Sequence, residues 1–599
     1  MKRKSILSVI SLASIALILG LWSAIGLTGC SGGSFYHPDS SPTPTPSASP
    51  SPIPPAVPAI TGITPAQALV GATVTITGEN FGEDQFCAKV YFNNVLAQQI
   101  ESWSDTSITC SVPPWAETGP VKVAVNELES NLDVIFTRLR EWTGNEEMNP
   151  ETDDNVLFPA YATDSNYNAL SLYIEESATT ATLYSRRFNS GLSASRQGEW
   201  GDPVQLATGD ESSIAFADVV FLPNNNAVCV YSKLDEDEFL RIYSRAFDSE
   251  RLSWGDETLL TSGNVFAGES KLSIDSEGNV FCLFIQEDAI DGFNLDMHRA
   301  NRAGAAYYVA RKDYSTGQWS QPQQLTPDGS PGIVNSYAKI AFDSNNNAMV
   351  VFENLEVSIV QPYNDKLQVR FSFKSYSRYY NNSTSEWSEP ILINDNNLVE
   401  SPDVAVDNQG NFWAAFHSTE AEPVDGTRAR VNGTAIQVAQ FLSDDGEWSE
   451  PITVKDGYDY SMITNSTRLY EDSQGNIYVF WLADDGGGFD NLYVSNYENQ
   501  EWTLPLRLDN QNQPTTEFSL AYDEYGDIKI GIVQSDGNFD RVYIIGYDNS
   551  GEEWSQPQVM DPGSADCYGV EVTTDENNNF YLIYSWDGDP SRVYLNKFE

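Results

Sequence analysis

Positive charge is what this 599-residue chain has least of: 33 lysines and arginines stand against 85 aspartates and glutamates, a formal net charge of −52. A surface of that sign repels phosphate backbones, which argues against nucleic acid as a partner. Histidine is scarcer still, at three copies, His37, His298 and His417. No Gly-x-Ser-x-Gly, His-Glu-x-x-His or phosphate-cradling loop stands in a context that would support catalysis. Six cysteines in a chain of this length make no disulfide scaffold. Cys229 and Cys282 take the same place in successive repeats and read as small core residues. Cys87 and Cys110 fall in one small domain and could bridge in an oxidising compartment; spacing alone does not decide it. Long helical periodicities are also missing. Short apolar runs punctuated by Pro, Gly and Asn turns give an all-β reading.

What is present begins with Lys2-Arg3-Lys4, an apolar run over 6–27, and Leu27-Thr28-Gly29-Cys30. A basic flank, an apolar stretch and small residues before a cleavage point make a secretory signal. The last four residues resemble the bacterial lipobox. That resemblance implies removal of residues 1–29, lipidation of Cys30 and an exported chain anchored to a bacterial membrane, at the cell surface or facing the periplasm. The alternative is an uncleaved signal anchor, since the run is nearly long enough to span. After Cys30, the segment 30–58 is mostly Ser, Pro, Thr and Gly, including Ser41-Pro42-Thr43-Pro44-Thr45-Pro46. Such a segment cannot bury enough apolar surface to fold, and proline keeps it extended, as a stalk.

Over 59–136, Val74, Ile76, Val90 and Phe92 alternate with polar neighbours, as half-buried strands do. Gly78-Glu79-Asn80-Phe81-Gly82 marks a turn between two such runs. Ile63-Thr64-Pro65, Gly71-Ala72-Thr73-Val74-Thr75-Ile76-Thr77-Gly78, Asn80-Phe81-Gly82 and Val90-Tyr91-Phe92-Asn93 resemble an IPT/TIG domain, with Ser104-Asp105-Thr106-Ser107-Ile108, Val112-Pro113 and Gly119 in the same order. The resemblance implies an immunoglobulin-like sandwich that spaces or docks a neighbour and carries no catalytic residue.

Residues 137–599 repeat. Gly446-Glu447-Trp448-Ser449-Glu450-Pro451 returns closely at Trp319, Trp387 and Trp554 and loosely at Trp142, Trp200, Trp254 and Trp502, at intervals of 52 to 68 residues. Each repeat reads as four strands. In 401–451 these are Pro402-Asp403-Val404-Ala405-Val406, the apolar Phe412-Trp413-Ala414-Ala415-Phe416, Ile436-Gln437-Val438-Ala439-Gln440-Phe441, and the tryptophan phrase. A second strand apolar on both faces needs cover on both, which radial stacking of four-stranded sheets supplies: a β-propeller. The chain ends after a third strand, and Arg140-Glu141-Trp142-Thr143 is a tryptophan strand with no blade before it. An N-terminal strand completing the last blade gives eight blades; seven is the alternative. The turns starting at Asp164, Asp275, Asp343, Asp407, Asp472, Asp523 and Asp575 offer one Asp followed by Gly or Asn, which suits an Asx turn better than a calcium site wanting several converging carboxylates. No cofactor is expected, with Ca²⁺ the weak alternative. The segment before Trp448, Ser443-Asp444-Asp445-Gly446-Glu447, loosely resembles the Asp-box of sialidase-like propellers, a structural motif that brings no activity with it.

The segments between second and third strands read as short loops except over 287–304, 354–366 and 418–434, which would lie together on one face. They carry His298, Arg299, Arg302, Tyr363, Arg428 and Arg430, the candidate ligand-binding residues. Arginine among aromatics suits a carboxylated sugar or an acidic partner surface. Long loops are also simply solvated and variable. The reading is therefore a binding or scaffold module recognising a surface glycan or protein, the alternative being a glycan-degrading enzyme. No catalytic pair can be nominated, since a glycosidase needs two carboxylates at a set separation and Asp and Glu are too common. His417 reads as a satisfied strand-end side chain.

Overall fold

The computed structural model describes residues 56–598 apart from short stretches, the longest being 190–198, 289–304, 328–337 and 459–466. The signal, Cys30, most of the stalk and Cys87 lie outside the described residues. Two compact units divide the chain, Met1–Glu141 and Trp142–Glu599.

In the first unit the alternation of Val74 and Ile76 becomes strand Thr73–Glu79, whose burial alternates residue by residue. It lies between Ala59–Thr64 and Ser107–Ser111 in one sheet. Ala88–Phe92 and Gly119–Val125 pair in a second sheet. Val74, Ile76, Val90, Phe92, Ile108, Val121, Val123 and Phe136 fill the space between the sheets, and Phe92 meets Phe136 edge to face at 5.1 Å. Asn80 and Gly82 take positive φ in the expected turn. Cys110 carries a free, buried thiol, which burial pushes up to about 12. Cys110 is a core residue between Val74 and Ile100 in the sheet register, and Cys87, with which it could bridge, lies outside the described residues.

The second unit contains eight antiparallel sheets, each running first strand, second, third; a tryptophan strand follows in six of them, and Gln323–Gln324 and Glu146–Glu147 take that place in the third and the last. An apolar core fills the gap between each consecutive pair. One more core joins Met148, Val156 and Tyr173 to Tyr581, Ile583, Val593 and Leu595, closing last sheet on first. The second strands are what make this stacking necessary. In Ala227–Leu234, Ala227, Cys229 and Tyr231 enter one core and Val228 and Val230 the next. Side chains alternate between faces, so a strand apolar at every position is stable only between two other sheets.

The tryptophan phrase supplies the outer strand. Trp142, Trp200, Trp254, Trp387, Trp448, Trp502 and Trp554 each pack on an aromatic of a third strand at 4.9–5.4 Å between centroids. In the third sheet Lys312 takes the aromatic's place, its ammonium 5.6 Å from the Trp319 ring.

Closure uses chain segments about as far apart as the unit allows. Glu146–Glu147 pairs with Arg592–Phe598, and Trp142 bridges Phe598. Asn145 secures the junction. Its Oδ1 accepts from Tyr584 Oη at 2.6 Å and Asn596 Nδ2 at 2.7 Å, and its Nδ2 donates to the Met560 carbonyl at 2.9 Å. This N-terminal completion of the last sheet removes the open edge that an incomplete ring would expose.

The Asp turns are Asx turns. In Asp275, Oδ1 accepts from the Glu277 and Asn279 amides and Oδ2 from Asn279 Nδ2, all at 2.8–3.0 Å. The same set recurs at Asp164, Asp343 and Asp407. The carboxylate oxygens point into their own turns, and among the described residues no group of three or more His, Cys, Asp or Glu side chains could hold a metal ion.

Candidate functional site

Two features break the repeat. The first is the strand 2–3 hairpin. Elsewhere in the ring the second and third strands run seven to ten residues. In the fourth sheet they run sixteen each, Ala348–Tyr363 and Lys366–Asn381, and in the fifth fourteen and fifteen, Phe412–Asp425 and Arg428–Leu442. Two of the three expected loops, 354–366 and 418–434, are therefore not loops. They are continuations of paired strands that project past their neighbours. The physical reason is that a two-stranded ladder satisfies its own backbone hydrogen bonds, so it extends without the apolar alternation that marks a strand packed on a core.

The sheets carrying these hairpins are adjacent, so both project from the same face. Tyr363 stands opposite Lys366 at one tip. At the other, Arg428 stands opposite Asp425 and Arg430 opposite Glu422. His298, Arg299 and Arg302 lie outside the described residues. His417 is not at a strand end. It sits within Phe412–Asp425, opposite Glu400 and Ile436, and is buried. Burial pulls its imidazole down to about 4, so it is neutral at physiological pH.

The second feature was not visible as a motif. Aligning the first strands on the opening residue of the turn that follows, and stepping back four residues, gives Ala160, Asp218, Lys271, Lys339, Asp403, Arg468, Ser519 and Glu571, one per sheet in ring order. Six of the eight are charged, three of each sign, on strands that the ring places around its axis. Local geometry aims them. In the second, third, fifth and eighth sheets the ladder shifts just before this position, and the residue two before it takes positive φ: Phe216, Glu269, Ser401 and Gly569. A bulge of this kind re-aims the following side chain. Holding Phe, Glu or Ser left-handed costs roughly 1 kcal/mol or more each, which only a strongly determined surrounding maintains.

The charges sense one another. Burial raises the Asp218 carboxyl, and Glu571, six sheets further round the ring, raises it further, against the pull of Lys271. Lys339 is brought down to about 7, by burial first and then by the repulsion of Arg468 and Lys271, against the attraction of Asp403 and Glu571. Burial also lowers Arg468, with Asp403 opposing. Asp218, Lys339, Arg468 and Glu571 are each half-buried, although protein surrounds them closely enough to shift Asp218, Lys339 and Arg468. A narrow lumen has that character: water reaches the side chain, but protein stands on every side. Part of the column is structural. Asp218 accepts from the Leu272 amide of the next sheet at 2.7 Å, Asp403 from Leu469 at 2.8 Å, and Ser519 from Val572 at 3.1 Å.

Residues 58–136 match the IPT/TIG domain. The match covers the sandwich, whose two sheets and core are those described above. No curated protein matches the chain. Among solved structures, the chain is similar to an auxiliary nutrient binding protein from Bacteroides ovatus, at 13% identity over 91% of this chain and 99% of that one, with a TM-score of 0.37. It is similar to an ulvan lyase at 11% identity over 61% and 89%, with a TM-score of 0.38. A Hadza microbial sialidase gives 11% over 76% and 94%, at 0.36. Likeness at this level has no bearing on function, which rests on the side chains of this chain alone.

Proposed function

We propose that this chain is an exported, lipid-anchored surface protein. In chain order it carries a lipidated Cys30, an extended stalk, an IPT/TIG spacer, and an eight-bladed propeller acting as a binding or scaffold module for a surface glycan or protein partner. The observation carrying the binding reading is the pair of projecting hairpins on adjacent sheets. They build a protrusion that the fold itself does not require, and its tip bears Arg428 and Arg430 in a chain poor in cations. A planar guanidinium pair suits carboxylates presented by a glycan or an acidic protein surface.

A glycan-degrading reading needs two carboxylates released for acid and base roles. Asp218 and Asp403 instead each hold a neighbouring sheet's amide, so the binding reading is preferred.

Two measurements test the proposal. Arg428→Ala/Arg430→Ala is expected to lose at least tenfold in affinity for whatever the wild-type chain captures on a glycan or surface-protein array. Equal binding by the two forms would remove the hairpin face from consideration. Cys30→Ser is expected to abolish incorporation of labelled fatty acid and to move the chain to the soluble fraction; continued labelling would overturn the anchor.

A further inference from the structure

We infer that the outer gap between the first and second sheets of the ring is a binding site for one sugar ring carrying a carboxylate, a uronate residue. Arg187, Asn189 and Asp202 of the first sheet and Phe247, Leu252 and Trp254 of the second line a cavity of about 260 Å³ there. The site is separate from the hairpins of the fourth and fifth sheets and does not rest on them.

The cavity exists because a crossing side chain is missing. One step in from the tryptophan strand, a second-strand residue and its third-strand partner face the following sheet. In the third, fifth and sixth sheets Phe281, Trp413 and Tyr478 reach from this position to Tyr380, Tyr497 and Tyr547 of the next sheet, at 5.6, 6.3 and 6.5 Å between centroids. In the fourth, Tyr379 reaches Phe441 at 5.8 Å, and in the seventh the Lys529 ammonium lies 4.8 Å from the Phe598 ring. The corresponding pair in the first sheet is Leu170 and Arg187. Leu170 is buried in the core shared with the second sheet. Among the described residues, the ring packed on Phe247 is Trp254 of its own sheet, at 5.3 Å. No ring or ammonium crosses to Phe247, and the space that one fills elsewhere is open here.

The two walls differ in chemistry. Arg187 and Asn189 alternate onto one face of their strand, so the first sheet contributes polar groups. The second contributes Phe247, Trp254 and Leu252. Leu252 is 57% exposed and sits at a φ of 53°. Two residues before Trp319 and Trp448 the same turn position is Gly317 and Gly446, both at positive φ. Glycine takes that conformation without strain, whereas leucine adds backbone strain and exposed apolar surface. The turn does not call for a leucine; the cavity it borders does. Arg187 is half-buried, and burial lowers its guanidinium against the attraction of Asp164. Asp164 acts on it through space, since its own oxygens accept from the Asn166 and Asn168 amides and from Asn168 Nδ2. Among the described residues the Arg187 guanidinium donates no hydrogen bond and forms no ion pair. Its planar fork is thus open to a carboxylate. A pyranose has an apolar C–H face and a rim of hydroxyls, which matches one apolar and one polar wall, with the exposed Asp202 carboxylate accepting from hydroxyls. The volume falls below the roughly 300–1,000 Å³ of sites for larger ligands, so it admits a single ring.

The full chain, purified in detergent, is titrated calorimetrically with sodium glucuronate. Glucose supplies the ring without the charge, sodium acetate the charge without the ring, and sodium benzoate a flat aromatic acid. Glucuronate is expected to bind at least tenfold more tightly than any of the three. Arg187→Gln should reduce its advantage over glucose to less than twofold. Leu252→Gly should lose at least tenfold in affinity for glucuronate while its melting temperature holds or rises, because glycine relieves the left-handed position. Arg428→Ala/Arg430→Ala should bind glucuronate as wild type does, which separates this site from the hairpin face. The proposal is overturned by no binding of glucuronate, by glucose, acetate or benzoate binding as tightly, or by a Leu252→Gly chain that binds as wild type. Loss of glucuronate binding in the Arg428→Ala/Arg430→Ala chain would place the sugar on the hairpins and overturn it as well.

Discussion

A chain truncated after Ser591 is expected to lose the cooperative unfolding transition of the ring altogether. The deleted strand, Arg592–Phe598, is paired on one side with Phe580–Trp586 and on the other with Glu146–Glu147. It carries Val593, Tyr594 and Leu595, all buried, and Phe598, on which Trp142 packs. Losing the apolar burial that these four side chains provide costs roughly 1.5–3 kcal/mol each. Asn145 would also lose Asn596, and the Asn155 carboxamide its Ser591 neighbour's ordered setting. The sum, about 10 kcal/mol, is of the order of an entire domain's stability. The loss is not local. Every sheet of a ring is held by two neighbours, so opening one junction leaves two sheets with an uncovered face and two unpaired strand edges, which invite association. Differential scanning calorimetry with size-exclusion chromatography reads both consequences. A monomeric truncated chain whose ring melts within a few degrees of wild type would contradict the closure described here.

That closure was legible in the sequence for a specific reason. The tryptophan phrase is a packing element, one outer strand seated on one aromatic, so its displacement to Trp142 registers directly as a strand borrowed from the other end. The two-sided apolar second strands and the Asx turns were equally readable, because each encodes a local rule repeated in most sheets. The projecting hairpins were not. Asn354, Glu356 and Pro362, or Thr419, Glu420 and Glu422, interrupt any apolar alternation, and pairing between two strands without a core leaves no side-chain period behind. The channel column was hidden differently. A lone Asp403 or Lys339 in a strand reads as a solvent-facing position, and only superposing the repeats shows that a charge recurs at the same place. The turn that provides the alignment mark was in view, but the residue four before it was never compared across repeats. Of the ligand-binding candidates, Tyr363, Arg428 and Arg430 fall on the projecting hairpins.

Lys339→Met is expected to stabilise the ligand-free protein at neutral pH by about 2–4 kcal/mol, and the gain should vanish in alkali. The folded state holds the Lys339 amine near 7, against 10.5 ordinarily. Between those values the unfolded chain binds a proton there and the folded chain does not, so wild-type stability rises with pH across that window at up to about 1.4 kcal/mol per pH unit. Below pH 7 both states are protonated and the penalty is constant and complete; above 10.5 both are neutral and it is gone. The full linkage would be roughly 5 kcal/mol, reduced here because the half-buried ammonium retains some access to channel water. Methionine has nearly the same length, no charge and no titration, so it removes the penalty while filling the same space. The tyrosines that titrate in alkali are common to both forms, which makes the difference between them the quantity to read. Denaturant midpoints for wild type and Lys339→Met, taken from pH 6 to pH 11 in buffers free of multivalent anions, should converge steadily above pH 7. A constant difference across the range would mean that the amine titrates as an ordinary lysine and that the channel imposes no electrostatic strain on it.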